Sequence, residues 1–352
     1  MARDTTIVLS DIHIANGEKY SWFLPPYPAQ LVQMLDQVAA DPSVVQVVLL
    51  GDLLDLWLYP VNVVPWTAAQ IAEANPAVSA AIRNVVASIP AVYYINGNHD
   101  LELTAGDLQI FNSGGKSIQM TTPAAYNAMY GNQRHLEHGH AVDMFNAPDP
   151  SSDTIGGYPF GYFVTRLVAT AANQSLVWAL LQRLLQAIER THLAFAPMAV
   201  AAPLSGSFLI EALVDLLEPL AEVKDSTPIR FREPNLDGKI TVGDLRNHYG
   251  SLLIVWLAQY GPDIINPMLV GFLGDGLDWY ARQLQAASPA PQTIIMGHTH
   301  HAETETTYGN DGCWCIPSAL GHGDATPAYA QIIGNTGKVI SWNPAEPIVR
   351  RP

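Results

Sequence analysis

The sequence predicts an α/β fold: a parallel sheet at the start, a helical insertion in the middle and a return to strands at the end. Three observations predict it. Short β-branched or aromatic runs at Thr5–Ser10, Val44–Leu50 and Ala91–Ile95 alternate with helical patterns near Pro28–Ala40 and Ala68–Ser88. From about Pro148 to Pro289 the chain becomes rich in Ala and Leu. After Pro291 short strand patterns resume, broken by turns such as Gly334-Asn335-Thr336-Gly337.

The first segment sets the geometry. A β-α-β-α-β order implies parallel pairing through right-handed crossovers, and in such sheets ligands bind just past the strand C-termini. In the middle segment Val177, Leu180, Leu181, Leu184, Leu185 and Ile188 recur at helical spacing. Ser207–Leu217, Ser251–Ala258 and Met268–Ala286 are further helix candidates. We therefore divide the chain into a core of residues 1–147 and 290–352 and a mainly helical cap of residues 148–289. The cap's apolar surplus could face the core, a second subunit or a lipid surface. At the end, Gln292–Met296, Glu303–Tyr308, Gly312–Ile316, Tyr329–Ile333 and Lys338–Trp342 predict a second, mixed sheet.

Composition narrows the function. The chain has 352 residues, 49% hydrophobic and 14% charged, which excludes a disordered protein. Its net charge is −15 with no basic block, which argues against duplex nucleic acid as the main partner. A small anionic substrate remains compatible, because bound cations reverse the local field. The two cysteines, Cys313 and Cys315, are too few for a disulfide framework and read as reduced core residues. Met1-Ala-Arg-Asp runs straight into the first strand pattern without a signal peptide, so a cytoplasmic location is expected. His192–Ile210 lacks charge, but Pro197, Pro203 and Gly206 interrupt it as a membrane span.

The chemistry lies in five short motifs: Asp11-Ile12-His13, Gly51-Asp52-Leu53-Leu54-Asp55, Gly97-Asn98-His99-Asp100, His138-Gly139-His140 and Gly297-His298-Thr299-His300. Four follow strand candidates directly, and the fourth in order follows a weaker one at Arg134–Glu137. Each alone could be a turn, a helix cap or an exposed loop. Together they present carboxylate, imidazole and amide oxygen at one sheet edge. That donor set suits borderline divalent cations such as manganese, iron, zinc, cobalt or nickel. An Asp can bridge two ions, one through each oxygen.

This ordered set resembles the calcineurin-like metallophosphoesterase superfamily. The resemblance covers about residues 5–145 and 290–345 and leaves the insertion uncovered. It implies a two-sheet αββα sandwich, in agreement with the strand reading. It implies one metal on Asp11, His13, Asp52 and His300, and a second on Asp52, Asn98, His138 and His298, with Asp52 as the bridge. A metal-bridging hydroxide would attack phosphorus, and His99 would protonate the leaving group. Asp100 would orient His99 or a ligand from behind, and Asp55 would either buttress the Asp52 loop or serve a plain turn. His140 could contact substrate or simply sit in its loop.

Within the superfamily the sequence favours some branches over others. The Arg of the protein Ser/Thr phosphatases is missing after Asp55, and Asp100 stands where they carry Glu. Asp55-Leu56-Trp57 and His138-Gly139 resemble the UDP-2,3-diacylglucosamine hydrolase branch, which cleaves a lipid-linked pyrophosphate at a membrane surface. That branch has Arg where His99 stands and a shorter insertion. His99 thus favours ordinary phosphomonoester or phosphodiester hydrolysis, on a small or lipid-linked substrate. A non-catalytic scaffold on the same fold is the contrasting class, and it would not need Asp52, Asn98 and three distal histidines together. Finally, Glu233–Asp244 fits part of a calcium-loop template, with Gly238 at position six. A Thr241-x-x-Asp244 capping box accounts for part of the same pattern.

Overall fold

The computed structural model describes residues 4–148, 155–173, 207–260, 277–316 and 326–350, with scattered positions between 176 and 183. The expected helical period at Val177–Ile188, the His192–Ile210 stretch and the first part of Met268–Ala286 lie largely outside the described residues.

The N-terminal strands form as predicted: β1 (Thr5–Leu9), β2 (Val44–Leu50) and β3 (Ala91–Ile95). They pair in parallel, with Ile7 opposite Val47 and Val48 opposite Tyr93. Helix α1 (Tyr27–Ala40) forms the first crossover. The second, expected as one helix, is two: α2 (Ala68–Ala74) and α3 (Pro76–Ser88). Pro76 has no N–H to continue α2 and instead opens α3 at a position where a missing donor costs nothing.

Two short elements precede the insertion: β4 (Gln119–Met120), parallel to β3, and helix α4 (Pro123–Met129). Strand β5 (Arg134–Leu136) then starts the second sheet, which continues with β6 (Thr293–Met296), β7 (Ala302–Thr304) and β8 (Tyr308–Asp311) in the order β5-β6-β8-β7. The last strands, β9 (Ala328–Ile333) and β10 (Thr336–Ser341), do not join that sheet as the meander reading expected. They extend the first one, with β9 antiparallel to β1, in the order β10-β9-β1-β2-β3-β4. The strand expected at Gly312–Ile316 is loop, because β8 ends at Asp311 and Gly312 turns the chain with a φ of +73°.

Alternation along the strands builds a layered core. Ile7, Leu9, Val47 and Leu49 pack with Leu31, Leu35, Ile82 and Val85 of α1 and α3. Their neighbours Val8, Val48 and Leu50 point the other way and meet Leu136 and Ile295 of the second sheet. On that sheet's outer face, Ile294, Met296 and Tyr308 pack against Leu277 and Ala281, where helix α9 (Asp278–Ala286) lies. The result is the two-sheet sandwich with helical outer layers that the sequence predicted.

Between β5 and β6 the described chain carries the helices α5 (Phe160–Thr170), α6 (Ser207–Ala221), α7 (Asp244–Tyr249) and α8 (Leu252–Tyr260) before α9, with turns and loop over 222–243. No helix among the described residues is long and apolar enough to cross a membrane. Helix α5 is buried almost all round and packs in the same apolar cluster as Trp57 and Val61. Fully buried Arg166 fastens it. Its guanidinium donates to the carbonyls of Tyr59 (2.5 Å), Pro60 (2.9 Å), Val63 (2.7 Å) and Arg230 (3.1 Å) and to the Tyr162 hydroxyl (2.6 Å). Removing the donors would strand several buried acceptors, each worth about 1–3 kcal/mol. Arg166→Met is therefore expected to lose at least about 3 kcal/mol of stability. A urea midpoint equal to the parent's at unchanged slope would show that the carbonyls need no guanidinium.

Two carboxylates of the calcium-loop pattern make internal contacts. Asp237 takes two donors from Arg230, at 2.7 and 3.1 Å, and Asp244 accepts from the Thr241 amide and hydroxyl, both at 2.8 Å.

Candidate metal centre

The loops after β1 and β2 are stitched together by backbone hydrogen bonds. The amides of Ile12 and His13 both donate to the Asp52 carbonyl, at 2.9 and 2.8 Å, and Asp11 donates to Gly51 at 3.2 Å. The loops after β3 and β6 fit against them only because they carry glycine. A Cβ on Gly97 would run into the Asp52 carboxylate, and one on Gly297 would strike Ser10 and Asp11. Among the described residues seven non-glycines have positive φ, and five of them are Asp11, His13, Asp52, His298 and His300. Left-handed backbone costs energy for such residues, so its concentration here marks a place where the surrounding hydrogen bonds override local preference.

These loops bring the expected ligands into one buried cluster. Asp11 Oδ1 lies 3.2 Å from His300 Nε2, 3.8 Å from His138 Nε2 and 3.9 Å from His13 Nε2. Asp52 Oδ2 lies 3.3 Å from His138 Nε2 and 3.6 Å from His13 Nε2. Asn98 Oδ1 faces His138 Nε2 at 3.2 Å, and the Nε2 atoms of His13 and His300 face each other at 3.0 Å. His298 joins through its backbone amide, which donates to Asp11 Oδ2 at 2.8 Å, and its ring lies 5.3 Å from that of His138. The far nitrogens are held from outside, His138 Nδ1 by the Leu50 carbonyl at 2.8 Å and His13 Nδ1 by Asp55 at 3.2 Å.

The donor set fits divalent cations. Asp11 Oδ1 is buried without a partner in hydrogen-bonding geometry, although three imidazole nitrogens surround it. Asp11, Asp52 and His138 offer ligand atoms within 4.8 Å of one another. The two Asp52 oxygens face different groups: Oδ1 accepts from the His99 amide at 2.8 Å, and Oδ2 faces both His13 and His138.

Electrostatics follow from this crowding. Burial would raise Asp11, but His138 and His300 hold it at about 2. Burial opposes charge on His138 and His300 too, yet Asp52 and Asp11 push them up to about 10 and about 9. Burial also dominates at Asp311, lifting it to about 8. Ser10 Oγ lies between two carboxyl groups, donating to Asp311 Oδ1 at 2.6 Å and also contacting Asp11 Oδ2.

His99 lies beside the cluster. Its ring is stacked on Trp57 at 4.7 Å and stands 4.6 Å from His13. Asp55, and not Asp100, is the carboxylate on this ring: Oδ1 meets His99 Nδ1 at 3.1 Å while Oδ2 meets His13 Nδ1. The same Asp55 accepts from the amides of Trp57 and Leu58, so it closes its own turn and links two site histidines at once. Asp100 sits behind, taking amide hydrogens from Leu53 (2.7 Å) and Gly97 (2.8 Å), and so ties the Asp52 loop to the Asn98 loop. His140 lies with its ring 5.5 Å from that of His138.

Several members were not singled out from sequence: Ser10, Asp311, Trp22, Asp143 and Asn146. Trp22 stands edge-on to His13 at 5.0 Å and to His300 at 5.7 Å. Cys313 and Cys315 are free and buried as expected, but Cys315 Sγ also lies 3.9 Å from His300 Nδ1.

Residues 5–170 match the family model described as calcineurin-like phosphoesterase. The match supports the metallophosphoesterase superfamily and gives the class of enzyme, a metal-dependent phosphoester hydrolase. No curated protein matches the chain.

Proposed function

We propose that the chain is a dinuclear phosphoester hydrolase acting on a small or lipid-linked phosphomono- or diester. One ion would be held by Asp11, His13, Asp52 and His300, and the other by Asp52, Asn98, His138 and His298. The observation that supports this best is the buried Asp11 Oδ1, which has three imidazole nitrogens within 3.9 Å and none in hydrogen-bonding geometry. When bound, such ions neutralise phosphoryl oxygens and activate water as the nucleophile. The chain's own contribution is the proton: Asp55 holds His99 Nδ1, which leaves Nε2 to donate to the departing ester oxygen as the P–O bond breaks. Burial pulls His99 down, but Asp55 and Asp52 outweigh it and keep it above its ordinary value, suited to holding a proton near neutrality.

The Asp55-Leu56-Trp57 signature has its own account here, since Trp57 is fully buried against His99. A lipid-linked and a soluble ester both remain in the proposal, and the substrate panel should contain both kinds.

Protein stripped by chelator is expected to lose hydrolysis of chromogenic phosphate mono- or diesters and to regain it with manganese. Reloading must displace protons from His138 and His300, whose folded values of about 10 and about 9 lie above the ordinary 6.5. Near neutral pH about two protons should be released, and apparent affinity should rise as pH climbs toward 9. The same shifts stabilise the stripped fold fully below pH 6.5, and that contribution fades as pH passes through about 9 and then about 10. Calorimetry in buffers of different ionisation enthalpy reads the protons directly. PH-independent loading, or undiminished activity after stripping, would contradict the assignment.

A further inference from the structure

We propose that the turn Asp143–Asn146 is a positioning brace that aims His298 and Asn98 into the ion site. The inference rests on the reading of those two side chains as ligands. Asp143 is 3% exposed, and its Oδ2 lies 2.9 Å from His298 Nε2. The same oxygen receives Asn146 Nδ2 at 2.6 Å, while Oδ1 receives the Phe145 amide at 2.9 Å. Asn146 Oδ1 in turn receives Asn98 Nδ2 at 3.4 Å. One continuous polar chain thus runs His298–Asp143–Asn146–Asn98.

Each link sets an orientation. With Nε2 engaged by a carboxylate, His298 is held as the Nε2–H tautomer and keeps Nδ1 as its lone pair for an ion. A histidine so held is also a stronger ligand. With its amide nitrogen turned to Asn146, Asn98 must present Oδ1 on the other side, where His138 Nε2 lies at 3.2 Å. Both braced residues belong to the same assigned ion, the second one, whereas His13 and His300 are held by other groups.

The turn is itself clamped. Its backbone closes on the Asp143 carbonyl, which accepts from Asn146 (3.1 Å) and Ala147 (2.7 Å). The first turn of α5 then docks on it through Gly161 N to the Phe145 carbonyl at 2.7 Å. A Cβ on Gly161 would meet the Asn146 side chain and lie 2.8 Å from the Phe145 carbonyl, so only glycine allows this approach. The start of the insertion is therefore coupled to one ion position.

The test titrates manganese into chelator-stripped full-length protein and its Asp143→Ala, Asp143→Asn and Asn146→Ala variants. Binding is followed by calorimetry, and the His298 ring by nitrogen NMR. Wild type should take up two equivalents. Asp143→Ala should weaken one of them by about 10–100-fold and spare the other, with loss of the Nε2–H state of His298. Asp143→Asn keeps an acceptor oxygen and should restore most of the loss, and Asn146→Ala should weaken the same equivalent to a lesser degree. Two unchanged affinities in Asp143→Ala would overturn the brace. So would equal weakening of both equivalents in Asp143→Ala and Asp143→Asn, which would mark a fold-wide role. Failure of the underlying ligand reading looks different: wild type would bind no manganese, or His298→Ala would bind two equivalents as tightly as wild type.

Discussion

Asp52→Asn should abolish phosphoester hydrolysis, by at least on the order of 10³-fold, while leaving a folded protein. A single oxyanion donor is already worth about 10²–10³ in rate, and Asp52 serves more than one group. Its Oδ1 accepts from the His99 amide, and its Oδ2 faces both His13 and His138. An asparagine of the same shape would keep its carbonyl oxygen toward the His99 amide. It would then turn an uncharged NH₂ toward the two imidazoles, where the proposed pair of ions calls for a shared anion. The side chain keeps its shape, so circular dichroism should stay near the parent's. The stripped variant should melt below the stripped parent at neutral pH, because His138 loses the carboxylate that raises it and the fold loses that stabilisation. Metal analysis should show both ions weakened, whereas loss of one alone would mean that Asp52 is not shared. A variant that still turned over substrate at the parental rate would remove Asp52 from the chemistry.

The centre was legible in the sequence because its chemistry sits at strand ends. Asp11, Asp52, Asn98 and His298 each stand within three residues of a strand's C-terminus, as the observed ends at Leu9, Leu50, Ile95 and Met296 bear out. Parallel pairing then brings the first three loops side by side without further information. What supports the centre was not legible. Asp143 and Asn146 lie in an irregular turn, Asp143 155 residues before His298, where no periodicity reports on partners. Asp311 falls between the strand candidates Glu303–Tyr308 and Gly312–Ile316, and only tertiary folding carries it to Ser10. The destination of β9 and β10 was hidden for a related reason. Alternation tells which side chains share a face, but both sheets of this sandwich offer an apolar face, so the pattern cannot choose the sheet. The break between α2 and α3 was legible in principle, since Pro76 stands in the middle of the expected helix.

His99→Ala should slow esters with poor leaving groups far more than activated ones. General acids contribute about 10²–10⁴-fold, and that contribution is needed only when the departing oxygen must be protonated to leave. An alkyl phosphate should therefore lose about 10²–10⁴ in kcat, and a nitrophenyl ester about tenfold or less. The structure gives His99 the required constraints. Trp57 stacks on one face, Asp55 fixes Nδ1, and the backbone amide is pinned to Asp52, so Nε2 has one direction in which to donate. Asp55 and Asp52 also raise its affinity for the proton against the opposing effect of burial. An acid must be protonated to act, so kcat/KM for an alkyl ester should fall as pH rises past the His99 value, and this limb should vanish in the variant. His99→Asn controls for the space left beside Trp57, since it fills part of the volume but carries no titratable proton. Asp55→Asn should reproduce part of the effect by freeing the ring, although it also disturbs His13 and so the metal. Equal slowing across all leaving groups would place His99 in substrate binding or in packing instead. In that case the proton would have to come from another group near the cluster.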